Sequence, residues 1–373
     1  MIFVLHGFKS RKGGKMTNLT SPLRKFVMVV LFCAIVYAPI HLLEDDFALH
    51  LVRSSVALSM PGTSLLGENI SDFFDYNDLI SLGAEEDYDY ELHGAGGPLE
   101  YWSDVFDGEW RGVTTRQFTG HGASNSWQNV HVSRRIGLNF DIEQELDIRP
   151  NINVETNSDS PQVLILHTHT TESFAHGYNG KFPAGYNFRS KDESRNIVAI
   201  GAIIANILNE NGINTIHSNA LHDYPVFSGS YARSEVTAKY YLEKYPSIEI
   251  VLDVHRDSIA RADGTRVRPL ANINGRNTAQ IMLLNGAQYG RVSSLPNYRE
   301  NLRFGLRVQQ SMEEKFPGLS RPLMLNDQRY NQHLANGALL VEVGSEVNTF
   351  SEAVNAAEFF ARSLVPVLEE LSK

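Results

Sequence analysis

Four residues between positions 169 and 342 have the types and placement of a hydrolytic metal centre. His169 and Glu172 fall in Leu166-His-Thr-His-Thr-Thr-Glu172, His255 in Leu252-Asp-Val-His-Arg-Asp257, and Glu342 in Leu340-Val-Glu-Val-Gly344. Two imidazoles and a carboxylate make a three-ligand zinc site with an open position, and a further Glu can serve as general base toward water. Such a set points to metal-assisted cleavage of an amide. Each member alone is weak, because a His after an apolar strand is more often a hydrogen-bonded structural residue. Their coincidence carries the reading.

Two of the assignments have rivals. His167 lies on the same face of an extended segment as His169, so periodicity cannot choose between them; His169 is preferred because it reaches further past a sheet edge. Glu193, just before the helix expected from Asn196, competes with Glu172 as the third ligand. Asp253 shares a strand face with His255 and could orient its ring, or be an ordinary strand-end residue. Glu342, inside Ala338-Leu-Leu-Val-Glu-Val343, would be costly if buried alone. It must meet a cation, a hydrogen-bond network or a reacting water.

The elements that must carry these residues are legible from Pro161 onward. Apolar runs predict strands over Val163–Leu166, Ile213–Ile216, Ile248–Val254, Ala279–Leu284 and Ala338–Val343. Helical spacing predicts helices over Asn196–Glu210, closed by Gly212, and Tyr231–Tyr245, stopped by Pro246. Further helices are expected near Asn301–Lys315 and from about Ser351 to Leu371. This alternation indicates an α/β fold, a three-layer sheet with helices on both faces. Its strands end where polar residues begin, as when an α/β hydrolase delivers side chains to the carboxyl edge. His131–Ile148 reads as a strand and a short helix. No internal repeat is visible.

The chain has 373 residues, 42% of them apolar, with a formal charge of −10 that argues against nucleic acid as a partner. Cys33 is the lone cysteine, which excludes an internal disulfide and a thiolate metal site. Residues 1–25 form a basic tail with Arg11, Lys12, Lys15, Arg24 and Lys25, and Met16 is a second candidate start. Phe26–Leu43 is almost wholly apolar and is expected to be a transmembrane signal anchor, with a cleaved signal peptide and a buried helix as the other readings. Glu44, Asp45 and Asp46 follow, so the positive flank leaves the remainder outside the cytoplasm. The acidic, Gly- and Pro-punctuated stretch 44–100 is expected as a stalk, 101–160 as a small accessory region and 161–373 as the hydrolase domain.

From about Pro161 to Leu371 the chain resembles the stage II sporulation protein P family, membrane-anchored cell-wall hydrolases of endospore formers. The resemblance rests on His167-Thr-His-Thr-Thr-Glu-Ser173, Asn196-Ile-Val-Ala-Ile-Gly201, Ser230-Tyr-Ala-Arg-Ser234 and Asp253-Val-His-Arg-Asp-Ser258. Phe316-Pro-Gly-Leu-Ser-Arg321, Tyr330-Asn-Gln332, and Leu340-Val-Glu-Val-Gly344 with Asn348-Thr349 complete it. It implies an amidase/zinc-carboxypeptidase-like fold, Zn2+ as cofactor and cleavage of the N-acetylmuramoyl–L-alanine amide of peptidoglycan. The family is also described as cutting peptide cross-links. By this likeness His169 and His255 are metal ligands and Glu342 the catalytic acid/base. The third ligand stays open, because the family's amidase relatives take a Glu near the first helix start, where Glu193 lies. The resemblance further implies work at the sporulation septum beside a stage II sporulation protein D-like glycan-cleaving enzyme.

Arg256, Arg233, Asn331 and Gln332 are candidates for holding the stem peptide's carboxylates and amides, since a guanidinium suits carboxylates. Two other functions compete. A metallocarboxypeptidase would need an Arg between the second and third ligands, and none there follows an Asn as that class prefers. A wall-binding protein that has kept the fold would have no need of Glu342.

Overall fold

The computed structural model describes residues 108–175 and 180–372. The expected basic tail, anchor and stalk, and His176, lie outside the described residues. Among the described residues no helix is long and apolar enough to cross a membrane.

An eight-stranded mixed sheet forms the centre. Its strands are β2 (Asn125–Trp127), β3 (Val130–Arg134), β4 (Val163–Leu166), β6 (Thr215–His217), β7 (Ile250–Asp257), β10 (Ile281–Gly286), β11 (Leu323–Asn326) and β12 (Gly337–Ser345), in the order β2-β3-β11-β10-β12-β7-β4-β6. The neighbours β12, β7 and β4 run parallel, with Leu340 opposite Asp253, Asp253 opposite Leu166, and Glu342 opposite His255. Their carboxyl ends therefore share one edge, which is where the candidate residues sit.

Alternate residues of these strands face opposite layers. Val163, Ile165, Ile250, Leu252, Val254, Leu339 and Val341 pack into the main core with α2 (Ile197–Glu210), α4 (Tyr298–Lys315) and α5 (Phe350–Glu370). Leu164, Leu166, Val251 and Ala338 pack on the other face against Ala238 and Tyr241 of α3 (Ser230–Lys244). Asp253, His255 and Glu342 keep the parity of Val251 and Leu340, so they belong to the α3 face. The mixed α/β fold with helices on both faces is the one expected.

Some boundaries differ for identifiable reasons. Ile213 lies outside the strand its apolar run predicts: its amide bonds back to Leu208 after Gly212 turns the chain with φ +73, so the strand starts at Thr215. Ile248 closes a turn onto Tyr245, and β7 begins at Ile250 and runs past His255. In the stretch expected as an accessory region, β2 and β3 extend the central sheet, β3 pairing with β11. The short α1 (Ile142–Asp147) follows, its first turn capped by Asp141.

A second, four-stranded sheet escapes the sequence reading. It contains β1 (Trp110–Arg116), β5 (Lys181–Pro183), β8 (Arg266–Ile273) and β9 (Arg276–Ala279), in the order β5-β1-β8-β9. β8 and β9 are a hairpin closed by Asn274 and Gly275, both at positive φ. That is the two-residue turn whose backbone twist matches antiparallel strands, and Asn-Gly is its strongest sequence signal.

Candidate active site

The segment after β4 is fixed by its backbone before its side chains are considered. Ile197 N donates to Glu172 O at 2.8 Å, and Ser173 and Asn196 form a bridge. Asn196 caps α2, accepting from Val198 N at 2.8 Å while its amide donates to Ser190 O. The His-Thr-His-Thr-Thr-Glu run is thereby clamped between the sheet edge and the first turn of α2.

His169, Glu172, His255 and Glu342 line one cleft of about 450 Å³, with Arg189, Arg256, Tyr231 and Phe227. The rings of His169 and His255 stand 5.2 Å apart, nearly perpendicular. His169 Nδ1 is buried with no hydrogen-bond partner among the described residues. Phe227, 54% exposed, stacks on the His169 ring at 4.6 Å.

His255 faces a carboxylate at each ring nitrogen: Nδ1 lies 3.4 Å from Glu172 Oε2, and Nε2 lies 2.8 Å from Asp253 Oδ1. The approach to Asp253 is close without the alignment of a hydrogen bond. Asp253 is held by the Thr168 amide and hydroxyl, which donate to it at 2.8 and 2.6 Å. Burial opposes charge on His255, but Asp253 and then Glu172 outweigh it and raise its pKa well above the usual range. His169, with burial dominant, is lowered. Burial also works to raise Glu172, yet Arg256 and His255 bring it down to about 2. The Arg256 amide donates to Glu172 Oε2 at 3.1 Å.

Glu342 sits in the opposite electrostatic setting. Burial, then the charge of Asp257, raise its pKa well above the ordinary carboxylate value. Its Oε2 is buried with no hydrogen-bond partner among the described residues. One carboxylate held ionised and another pushed toward neutrality in a single cleft is the pattern of divided ligand and acid/base roles.

Among the described residues no three His, Cys, Asp or Glu side chains converge as a bound metal would hold them. The donor chemistry nevertheless fits an ion. Ligands about 2.0–2.2 Å from one tetrahedral centre stand roughly 3.3–3.6 Å apart, and His255 Nδ1 and Glu172 Oε2 are 3.4 Å apart. Asp253 behind the ring supplies the carboxylate partner that ligating histidines usually have, and the unpartnered His169 Nδ1 offers another donor.

The other expected site residues are placed elsewhere or otherwise occupied. Glu193 is exposed and accepts from Asn219 Nδ2, away from the cleft. His167 is sealed in, Nδ1 bonding Val254 O and Nε2 the His217 ring, both at 2.8 Å. Burial lowers its pKa to about 4. Arg256 lines the cleft, but it donates to Ser173 O and Phe188 O. Arg233 spends its donors on the carbonyls of His222, Val226 and Ser228. Asn331 bonds Tyr231 O and Ser234 Oγ, and Gln332 spans Leu284 O and the Gly286 amide. In this structure Arg233, Asn331 and Gln332, expected to bind substrate, are engaged with the protein itself, and none of the three lines the cleft. Phe227, Arg266 and Glu346 line the cleft unannounced by the sequence, beside Arg189. Only Arg266 had a signal, the Asn-Gly hairpin that begins on its strand.

A sequence model described as Stage II sporulation protein P (SpoIIP) matches residues 120–365. Stage II sporulation protein P of Bacillus subtilis (strain 168) is 28% identical over 214 residues, 54% of this chain and 50% of that protein. The chain thus spans about half the length of that curated relative. Among solved structures, the N-acetylmuramyl-L-alanine amidase Ami1 from Mycobacterium smegmatis aligns at 12% identity and TM-score 0.33, over 58% of this chain and 100% of that one. The CwlD amidase from Clostridioides difficile, in complex with the GerS lipoprotein, aligns at 10% identity and TM-score 0.34, over 56% and 98%.

Proposed function

Because this chain belongs to the stage II sporulation protein P family, we propose that it is a zinc-dependent cell-wall hydrolase of sporulation. Its substrate is the amide joining N-acetylmuramic acid to the L-alanine of the stem peptide. The observation that carries this reading is the meeting of His169, Glu172, His255 and Glu342 in one cleft, at the shared edge of three parallel strands.

His169, Glu172 and His255 would hold the ion. When bound it supplies Lewis-acid polarisation of a carbonyl and a lowered pKa for water. Glu342 takes a proton from the attacking water as its oxygen adds to the amide carbon. The same carboxyl then returns that proton to the departing nitrogen as the C–N bond breaks. A carboxyl raised by burial suits this alternation, because the ideal catalytic pKa lies near the working pH. Asp253, 2.8 Å from Nε2, favours the charged form of the His255 ring from behind, and Arg256 keeps Glu172 ionised.

The expected anchor and positive flank support placing this domain outside the cytoplasm, where the wall is. Stripping stem peptides leaves denuded glycan, the natural substrate of a stage II sporulation protein D-like partner. The test is mass spectrometry of muropeptides from peptidoglycan digested by the purified protein, with and without a chelator. Lactyl ends and free stems that disappear with chelator are expected. Shortened stems would instead indicate a carboxypeptidase, and unchanged muropeptides a wall-binding protein.

A further inference from the structure

A second polar group lines the same cleft and has no part in the chemistry above. Glu346 follows β12 and is 2% exposed. Its Oε1 accepts from Ser258 Oγ at 3.0 Å and is ion-paired with Arg266 Nη1 at 3.1 Å. Its Oε2 is buried with no hydrogen-bond partner among the described residues. The Glu346 amide donates to Asp257 O at 3.1 Å, so the residue is fixed to the end of β7. Arg266 comes from β8 of the second sheet, with its side chain 32% exposed, and also donates to Ser258 Oγ.

A buried carboxylate oxygen without a donor is costly, and a fold retains one where something else supplies the donor. Beside it stands a guanidinium with five donors in a fixed fork, exposed enough to meet a carboxylate. An acceptor and a donor side by side on a cleft wall match one ligand chemistry: an ammonium and a carboxylate carried on a single carbon.

We propose that Glu346 and Arg266 form a subsite for a zwitterionic amino-acid head on the stem peptide, the ammonium donating to Glu346 Oε2 and the carboxylate accepting from Arg266. This rests on the hydrolase reading for the nature of its substrate. It also gives the second sheet a role, since β8 brings Arg266 to the cleft beside strand ends of the first.

The test is equilibrium binding to the metal-free full chain of two stem tripeptides, one with a free amino-acid head on its third residue and one with that amine acetylated. Acetylation should weaken binding by about tenfold to a hundredfold, the range for hydrogen bonds to charged groups. Glu346→Gln should bring the two affinities together, and amidating the head carboxylate should matter less in Arg266→Met than in the unaltered chain. Equal affinity of the unaltered chain for both peptides overturns the subsite, and that comparison needs no variant to fold. Discrimination persisting in Glu346→Gln overturns it too. Discrimination without any cleavage of peptidoglycan would refute the hydrolase reading and leave the subsite standing. Cleavage without discrimination would do the reverse.

Discussion

Glu342 separates the catalytic account from a structural one. A carboxylate kept in the interior by a structural ion pair resists replacement, because the partner charge is left unpaired at a cost of about 3–5 kcal/mol. Glu342 is instead raised by burial and by Asp257, and its Oε2 has no hydrogen-bond partner among the described residues. A neutral isostere should therefore be tolerated by the fold and fatal to turnover. Glu342→Gln is expected to lower the rate by about 10²–10⁴-fold with an unchanged denaturation midpoint; a stability loss matching the rate loss would return Glu342 to a structural role. The choice between His167 and His169 shows what was not legible at this scale. Both have the same parity along the chain, and nothing in the sequence reveals that Val254 O and His217 occupy both nitrogens of His167. Arg233, Asn331 and Gln332 are similar: their types suit substrate, but carbonyls and a hydroxyl that only the fold brings near engage their donors.

Among the elements, β12 has the most consequential irregularity. Its pairing with β7 shifts register between Glu342 and Ser345, and Gly344 there has φ +64. A Cβ at 344 would stand 2.7 Å from Asn348 Oδ1 and 2.8 Å from Ala279 Cβ. Asn348 is committed locally, accepting from the Ser345 amide and donating to Pro269 O and Glu352. Gly344→Ala should thus cost roughly 1–3 kcal/mol for the strained backbone alone, read from denaturant unfolding, and it should lower activity by moving Glu342. A variant of unaltered stability would show that the bulge does not set the position of Glu342. The central strands and the four long helices were legible, because apolar runs and 3.6-residue spacing survive in the sequence. The second sheet was not. β8 is interrupted by Pro269, β1 pairs with a strand more than a hundred residues away, and the Asn274-Gly275 turn was the one local cue.

At the scale of the whole molecule, distant segments converge because β4, β7 and β12 are adjacent and parallel. Adjacency of strands this far apart in the chain leaves no local trace, whereas the polar residue after each apolar run does. That is why the site's members could be named before their meeting could be derived. The sheet also explains why the ligand candidates should be separable from the fold: they stand at its edge, beyond the main core that spans α2, α4 and α5. The most direct measurement is the zinc bound per chain after equilibration, in the unaltered protein and in His169→Ala, Glu172→Ala, His255→Ala and Glu342→Gln, each checked for native secondary structure. About one zinc is expected in the unaltered protein and in Glu342→Gln, and nearly none in the other three. Full occupancy in folded His169→Ala or His255→Ala, or loss of zinc in Glu342→Gln, would contradict it.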